Sequence, residues 1–391
     1  MGVTRVQIGY TPDQERLAAQ LRSYFRQLMT DDVREALNKG DGDHGDGDVY
    51  RRLIRRLGED GWLTLSWPAE YGGRDLGPVE QLIFADEAAL ARIPVPFLTI
   101  NTVGPTIMRY GTDEQKAFYL PRIAAGEIHF AIGYSEPEAG TDLAALRTTA
   151  VRDGDTYVIN GQKMWTSLIQ YADYVWLAAR TDPSADRHHG LSILVVPTSA
   201  EGFSWTPVQT VAGVMTSATY YSDVRVPASA LVGAENSGWR LITNQLNAER
   251  VALTSAAPLM AALEDVTEWA RANGKLNEEW VRVALAEVRA RTEALRLLNW
   301  KVAAGSGPAG PVDASASKVF STELSTLAYR KLMEVLGGPA VLRSGSSGAV
   351  LAGRIERNQR AALILTFGGG TNEVQRDIIA AAALGLPISR R

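Results

Sequence analysis

YVWLAAR (Tyr174–Arg180) and LSILVVP (Leu191–Pro197) are short runs rich in β-branched and aromatic residues, bounded by Asp, Gly and Pro. That composition and its alternation predict strands. TYVING (Thr156–Gly161) and YYSDVRVP (Tyr220–Pro227) are of the same kind. Together they predict a compact β domain over residues 127–233. Outward from it, in both directions, the period changes. LAAQLRSYFRQLM, VYRRLIRRLGEDGW, VEQLIFADEAALA and EQKAFYLPRIAAG, all between Thr11 and Gly126, carry apolar residues three and four apart, the helical spacing. Thr112 and Gln115 are placed to form a capping box. Helical patterning resumes after Ser237, broken by GSGPAGP at Gly305–Pro311. The expected fold is mainly α with a central β domain: a helical N-terminal domain (1–126), the β domain (127–233) and a C-terminal helical bundle (234–391).

A chain of 391 residues is too long for one simple core, which agrees with three domains. The net charge of -4 gives no electrostatic reason to expect nucleic acid or an anionic membrane. The absence of cysteine excludes disulfides, thiolate metal sites and cysteine nucleophiles, and suits a reducing cytoplasm. The start, MGVTRVQIGYTPDQERL, has no apolar core of signal-peptide length, and no later run approaches a membrane span. A literal GxGxxG at Gly40, Gly42 and Gly45 lacks a preceding strand, so it does not predict a dinucleotide fold. The DGDHGDGD loop around it lacks EF-hand spacing and reads as a solvated acidic loop. His188 and His189 have no spaced third ligand, so no metal site is expected.

Two stretches in the β domain form a pair: YSEPEAGTD (Tyr134–Asp142) and NGQKMWTS (Asn160–Ser167). Taken singly, the first is good turn chemistry and Trp165 serves equally as a core aromatic. Taken together, they supply hydrogen-bonding groups and an aromatic wall, which is what a flavin ring requires. With TFGGGTNEVQR (Thr366–Arg376), WPAEYGG (Trp67–Gly73) and YGTDEQK (Tyr110–Lys116), the pair resembles the acyl-CoA dehydrogenase family along essentially the whole chain, and in particular its heterotetrameric, steroid side-chain branch.

The resemblance implies FAD as cofactor and removal of an α-proton and a β-hydride from an acyl-CoA, here a bulky one such as a steroid side-chain thioester. It places Tyr134 and Ser135 along the flavin's pyrimidine edge, Gly140 and Thr141 at ring and substrate, Trp165 on the flavin and Ser167 toward N5. Thr371 falls in the C-terminal flavin-site motif. Many relatives carry a glutamate base where this chain has Gly369. The long-chain and isovaleryl branches instead carry it on a helix at the position of Glu249, in NQLNAERVAL (Asn244–Leu253). Glu249 is therefore the expected base, and the Gly369 N–H an expected donor to the thioester oxygen. Asn247 and Arg250 are expected at the substrate, with ordinary helix surface as the alternative for both. Relatives that bind FAD between identical subunits use Arg-x-x-Phe-Gly and a Gln before Gly-Gly. This chain has RANGKLNEEW (Arg271–Trp280) and Glu334, which weakens anion binding. The resemblance thus implies a homologous second subunit in an α2β2 assembly and an electron-transfer flavoprotein as acceptor. A flavin oxidase or monooxygenase on the same fold, and a non-catalytic partner subunit, are the alternative functions.

Overall fold

The computed structural model describes residues 9–37, 45–213, 215–252, 255–305 and 310–387, with the side chains of 246–252 and 311 outside the description. Gly40, Gly42 and the Asp41–His44 stretch of the acidic loop lie outside the described residues. Among the described residues, six helices come first: α1 (Pro12–Leu28), α2 (Asp31–Leu37), α3 (Gly47–Glu59), α4 (Pro78–Ala91), α5 (Gly104–Tyr110) and α6 (Asp113–Ala124). Asp46, from the acidic loop, caps α3 by accepting from the Asp48 and Val49 N–H groups. Thr112 and Gln115 form the expected capping box. Gln115 does more, because its amide also donates to the Ser229 and Leu231 carbonyls at 2.7 and 2.8 Å. The cap thereby ties α6 to the next domain. A second capping box, Thr11 with Gln14, starts α1.

A π-turn over Thr99–Val103 leads into α5. The Trp67 indole donates to the Ile100 carbonyl at 2.9 Å. Its ring occupies the space where a Cβ at residue 104 would sit, 2.1 Å from Cζ2, so Gly104 is required there.

The middle of the chain forms β1 (Phe130–Gly133), β2 (Thr149–Asp153), β3 (Thr156–Lys163), β4 (Tyr174–Arg180), β5 (Leu191–Pro197), β6 (Phe203–Gln209), β7 (Met215–Pro227) and β8 (Leu231–Val232). They make one eight-stranded sheet ordered β6-β7-β3-β2-β4-β5-β8, with β1 added in parallel to β4. In β4 and β5 alternation does not separate buried from exposed residues, because nearly every residue is buried. It separates two cores. Trp176, Ala178, Ile193 and Val195 join the core of the N-terminal helices. Val175, Leu177, Leu194 and Val196 join the core of the sheet itself. The sheet is thus fixed to the first domain by a shared apolar layer.

The C-terminal helices are α7 (Gly238–Ala252), α8 (Ala257–Ala272), α9 (Glu279–Ala303), α10 (Pro311–Leu336), α11 (Arg354–Leu365) and α12 (Asn372–Leu384). α10 packs against each of the other five. Leu241 and Ile242 of α7 enter the N-terminal core, while α8 to α11 share a separate one. Among the described residues no helix is long and apolar enough to cross a membrane.

Candidate active site

Lys163, the last residue of β3, is fully buried, and its ammonium donates to the Tyr134 carbonyl at 3.0 Å and the Glu136 carboxylate at 2.8 Å. Glu136 also accepts the Arg147 and Thr148 N–H groups at 2.6 and 2.8 Å. Burial pushes Lys163 down to about 8, against the opposing pull of Glu136. Burial acts to raise the Glu136 carboxyl, but Lys163 and the hydrogen-bond donors outweigh it and hold it low. With the Met164 N–H bonded to the Ser135 carbonyl at 2.8 Å, this buried pair fastens the turn after β1 to the loop after β3. The two halves of the predicted motif pair are therefore joined at Tyr134–Glu136 and Lys163–Met164.

The loop after β3 is shaped to present a ring. Trp165 and Leu168 both have left-handed backbones, with φ of 65° and 62°, a conformation that costs a non-glycine residue energy. Thr166 between them is buried and anchored to β7 through the Ser217 carbonyl at 2.9 Å. Trp165 is left 58% exposed, and Ser167 rests its hydroxyl on Thr216 at 3.2 Å. A large exposed indole held on a strained loop, with polar groups beside it, fits a flat apolar ring with a polar edge. The Ser217 hydroxyl behind it is buried with no partner among the described residues. Tyr134 differs in orientation: its hydroxyl bonds Gln245 of α7, so its side chain faces the helix.

The glycine turn lies between α11 and α12. Gly369 and Gly370 are left-handed, with φ of 66° and 94°, and a Cβ at Gly369 would meet nothing within 4 Å. Among the described residues, no packing imposes the missing side chain. Thr371 caps α12 by accepting from the Val374 N–H, which puts the positive end of a helix dipole beside the turn. Lys318 of α10, 3% exposed, donates to the Gly370 carbonyl and the Asn372 side chain, both at 2.8 Å. Asn247, Glu249 and Arg250 lie in the last turns of α7, and their side chains lie outside the described atoms. α7 meets both the π-turn and α10, so it links the two halves of the site.

A cavity of about 180 Å³ opens beside Leu168, walled by Tyr50, Phe97, Thr99, Thr102, Phe130 and Tyr171. It is smaller than the roughly 300–1,000 Å³ pockets that enclose drug-sized ligands. In the C-terminal domain, Arg271 lines a groove of about 360 Å³ with Arg289, Glu264 and Glu268. Two carboxylates there offset the two guanidiniums, a poor setting for a diphosphate. Glu334 is exposed and near Arg330 at 4.0 Å. The His188 ring lies tilted against those of His189 and Trp239.

Sequence reasoning passed over Lys163, Glu136, Gln245 and Lys318. One signal was present: Gln245 sits four residues after Leu241, a polar group on a helix stripe that is otherwise apolar and buried.

Family models cover nearly the whole chain: acyl-CoA dehydrogenase N-terminal domain at residues 11–127, middle domain at 131–226 and C-terminal domain at 236–384. The chain is 64% identical to acyl-CoA dehydrogenase FadE26 of Mycobacterium tuberculosis, over 99% of this chain and 100% of that protein. It is 48% identical to FadE29 of the same organism, over 97% and 98%. Among solved structures, it matches a chain of the ChsE4-ChsE5 complex from Mycobacterium tuberculosis with a TM-score of 0.92 and 64% identity, over 98% of this chain and 100% of that one. It matches a chain of the Tcur3481-Tcur3483 steroid ACAD with a TM-score of 0.93 and 50% identity, over 98% and 100%. The three-domain fold, the motif pair and these likenesses make the chain a member of the acyl-CoA dehydrogenase family, whose enzymes are FAD-dependent oxidoreductases.

Proposed function

We propose that this acyl-CoA dehydrogenase introduces an α,β double bond into a bulky acyl-CoA thioester, a steroid side-chain ester, with Glu249 as the α-proton base. The observation that carries the base assignment is Gly369, which offers a backbone N–H and no carboxylate, in a turn where nothing among the described residues fills the space of a side chain. A base must then come from another element, and α7, the helix that carries Glu249 and packs against the π-turn, β5 and α10, is the element that supplies it in this reading. Enclosure by an apolar acyl chain raises a carboxyl from its free value near 4.3 toward working pH. The Gly369 N–H, beside the α12 N-terminus and the Lys318 charge, is suited to stabilise negative charge growing on the thioester oxygen. Ser135, Gly140, Thr141, Ser167 and Thr371 bind and orient the cofactor, and Trp165 covers its ring and excludes water. The hydride leaving Cβ needs an acceptor, and that is the chemistry FAD supplies when bound. Asn247 and Arg250 meet the thioester arm.

The steroid class is supported by the 50% identity to a chain of a steroid ACAD. Relatives crystallised as two-protein complexes, and the charge-balanced groove at Arg271, support an α2β2 assembly in which a homologous subunit meets the cofactor's diphosphate. An electron-transfer flavoprotein completes the cycle as acceptor. We place the domain breaks near 126/127 and 233/234.

The test is turnover of 3-oxocholest-4-en-26-oyl-CoA by the co-purified complex. Glu249→Gln is expected to lower kcat by about 10² to 10⁴ with the FAD-to-chain ratio unchanged. Undiminished turnover would remove Glu249 as base and favour a non-catalytic role for this subunit.

A further inference from the structure

Gln245 is 3% exposed and precedes Glu249 by four residues, so the two positions share a face of α7. Its side-chain oxygen accepts from the Tyr134 hydroxyl and, at 3.3 Å, from the Trp176 indole. Its amide nitrogen donates to the Thr106 hydroxyl at 3.1 Å, which donates in turn to the Thr102 carbonyl at 2.7 Å. Thr106 belongs to the N-terminal helices, and Tyr134 and Trp176 to the sheet domain. One buried amide therefore joins all three domains.

The direction of these bonds is fixed. Indole N–H is a donor only, and the Thr106 hydroxyl has already committed its proton to Thr102. A flipped amide would set its NH2 against the indole and its oxygen against a hydroxyl with no proton to give. Leu241 and Ile242 hold the first half of α7 by apolar contact, which tolerates small rotations and slips. A buried polar contact of this kind does not, because each displaced bond leaves a buried group unsatisfied. Beyond Gln245 the helix carries its functional positions. The last link of the chain, Thr102, lines the 180 Å³ cavity.

We propose that Gln245 is a positioning residue for proton removal: it sets the rotation and height of α7, and with them the place of the base, relative to the turn at Tyr134 and the acyl cavity at Thr102. The inference rests on Glu249 being the base. It also makes the base's position depend on the cavity wall, because Thr102, Thr106 and Gln245 form one continuous hydrogen-bonded line.

The test uses the co-purified complex loaded with FAD and 3-oxocholest-4-en-26-oyl-CoA as probe. Gln245→Met keeps length and apolar fit while removing all three bonds. The expected result is a kcat lower by ten- to a hundredfold, KM within threefold, an unchanged FAD-to-chain ratio, and a larger isotope effect with α-deuterated substrate. Tyr134→Phe removes one bond, and adding it to Gln245→Met is expected to cost little more, since both act through one contact. Hydrogen exchange of the α7 amides, a readout without catalysis, is expected to quicken in Gln245→Met. Unchanged kcat, isotope effect and exchange would overturn the proposal. So would loss of FAD in parallel with kcat, which would make Gln245 a residue of general stability. Glu249→Gln, run alongside, separates the two ideas: if it retains turnover, the base reading fails, and faster α7 exchange in Gln245→Met still establishes the clamp. If it abolishes turnover while Gln245→Met is normal, only the positioning role fails.

Discussion

The Lys318 ammonium lies 2.8 Å from the Gly370 carbonyl oxygen, one residue beyond the glycine whose N–H is proposed to face the thioester. A buried cation on α10 therefore holds the turn that ends α11 and begins α12. Lys318→Met leaves that carbonyl and the Asn372 side chain without this donor. Losing an oriented oxyanion donor costs about 10² to 10³ in kcat, and displacement of the turn is expected to reach the lower end of that range. Steady-state kinetics and thermal melting check it together. A lowered Tm with normal kcat would show that Lys318 supports α12 and not the turn's chemistry.

Trp165 gives the opposite pattern. It is exposed and contributes little to the core, so Trp165→Ala is expected to change the stability of the cofactor-free protein by no more than about 0.5 kcal/mol. Ring stacking is worth about 0.5–1.5 kcal/mol, so FAD affinity should fall by roughly three- to tenfold. Fluorescence titration with FAD, beside a melting curve of the apoprotein, measures both.

Lys163 and Glu136 are expected to be costly to separate. Removing one partner of a buried ion pair costs about 3–5 kcal/mol because a charge is left uncompensated. Lys163→Met is expected to show that loss in a denaturant titration. Lys163→Met with Glu136→Gln should recover part of it, since no buried charge remains. Equal loss in both would mean that shape, not charge, holds the turn.

Asp86 on α4 is pushed up from 3.8 to about 6, by burial above all, although its bond from Ser255 opposes the shift. The folded chain binds this proton more tightly than the unfolded chain does. Its contribution to stability therefore falls as pH rises from about 4 to about 6, and the cost present at neutral pH is on the order of 3 kcal/mol. Asp86→Asn keeps an oxygen for Ser255 and is expected to raise Tm by several degrees at pH 7, with no gain below pH 4. A gain of equal size at both pH values would trace the effect to packing.

The strands quoted from the sequence, and the Thr112 capping box, were legible because each is encoded by residues near one another. β6 was not. Its sequence, FSWTPVQ, is mostly exposed and contains Pro207, and it bonds only to β7 at the sheet's edge, where a missing N–H is tolerated. The motif residues were readable by resemblance, but what holds them was not. Gln245 finds Tyr134 across 111 residues, and Lys318 finds Asn372 across 54. No local period records such partners. A buried polar side chain looks in sequence like a lapse in an apolar stripe until the fold supplies its ligand.

The seating of the Trp67 ring in the space of an absent Cβ at Gly104 makes two distant positions a single heritable unit. A side chain gained at 104 has no room until the indole shrinks, and a smaller residue at 67 abandons the bond to the Ile100 carbonyl that steadies the π-turn. Divergence at either position alone passes through a less stable intermediate. Relatives that depart from WPAEYGG at the tryptophan are expected to depart at the glycine as well, and to carry a reshaped 180 Å³ cavity, because Thr99 and Thr102 of that same turn form its wall.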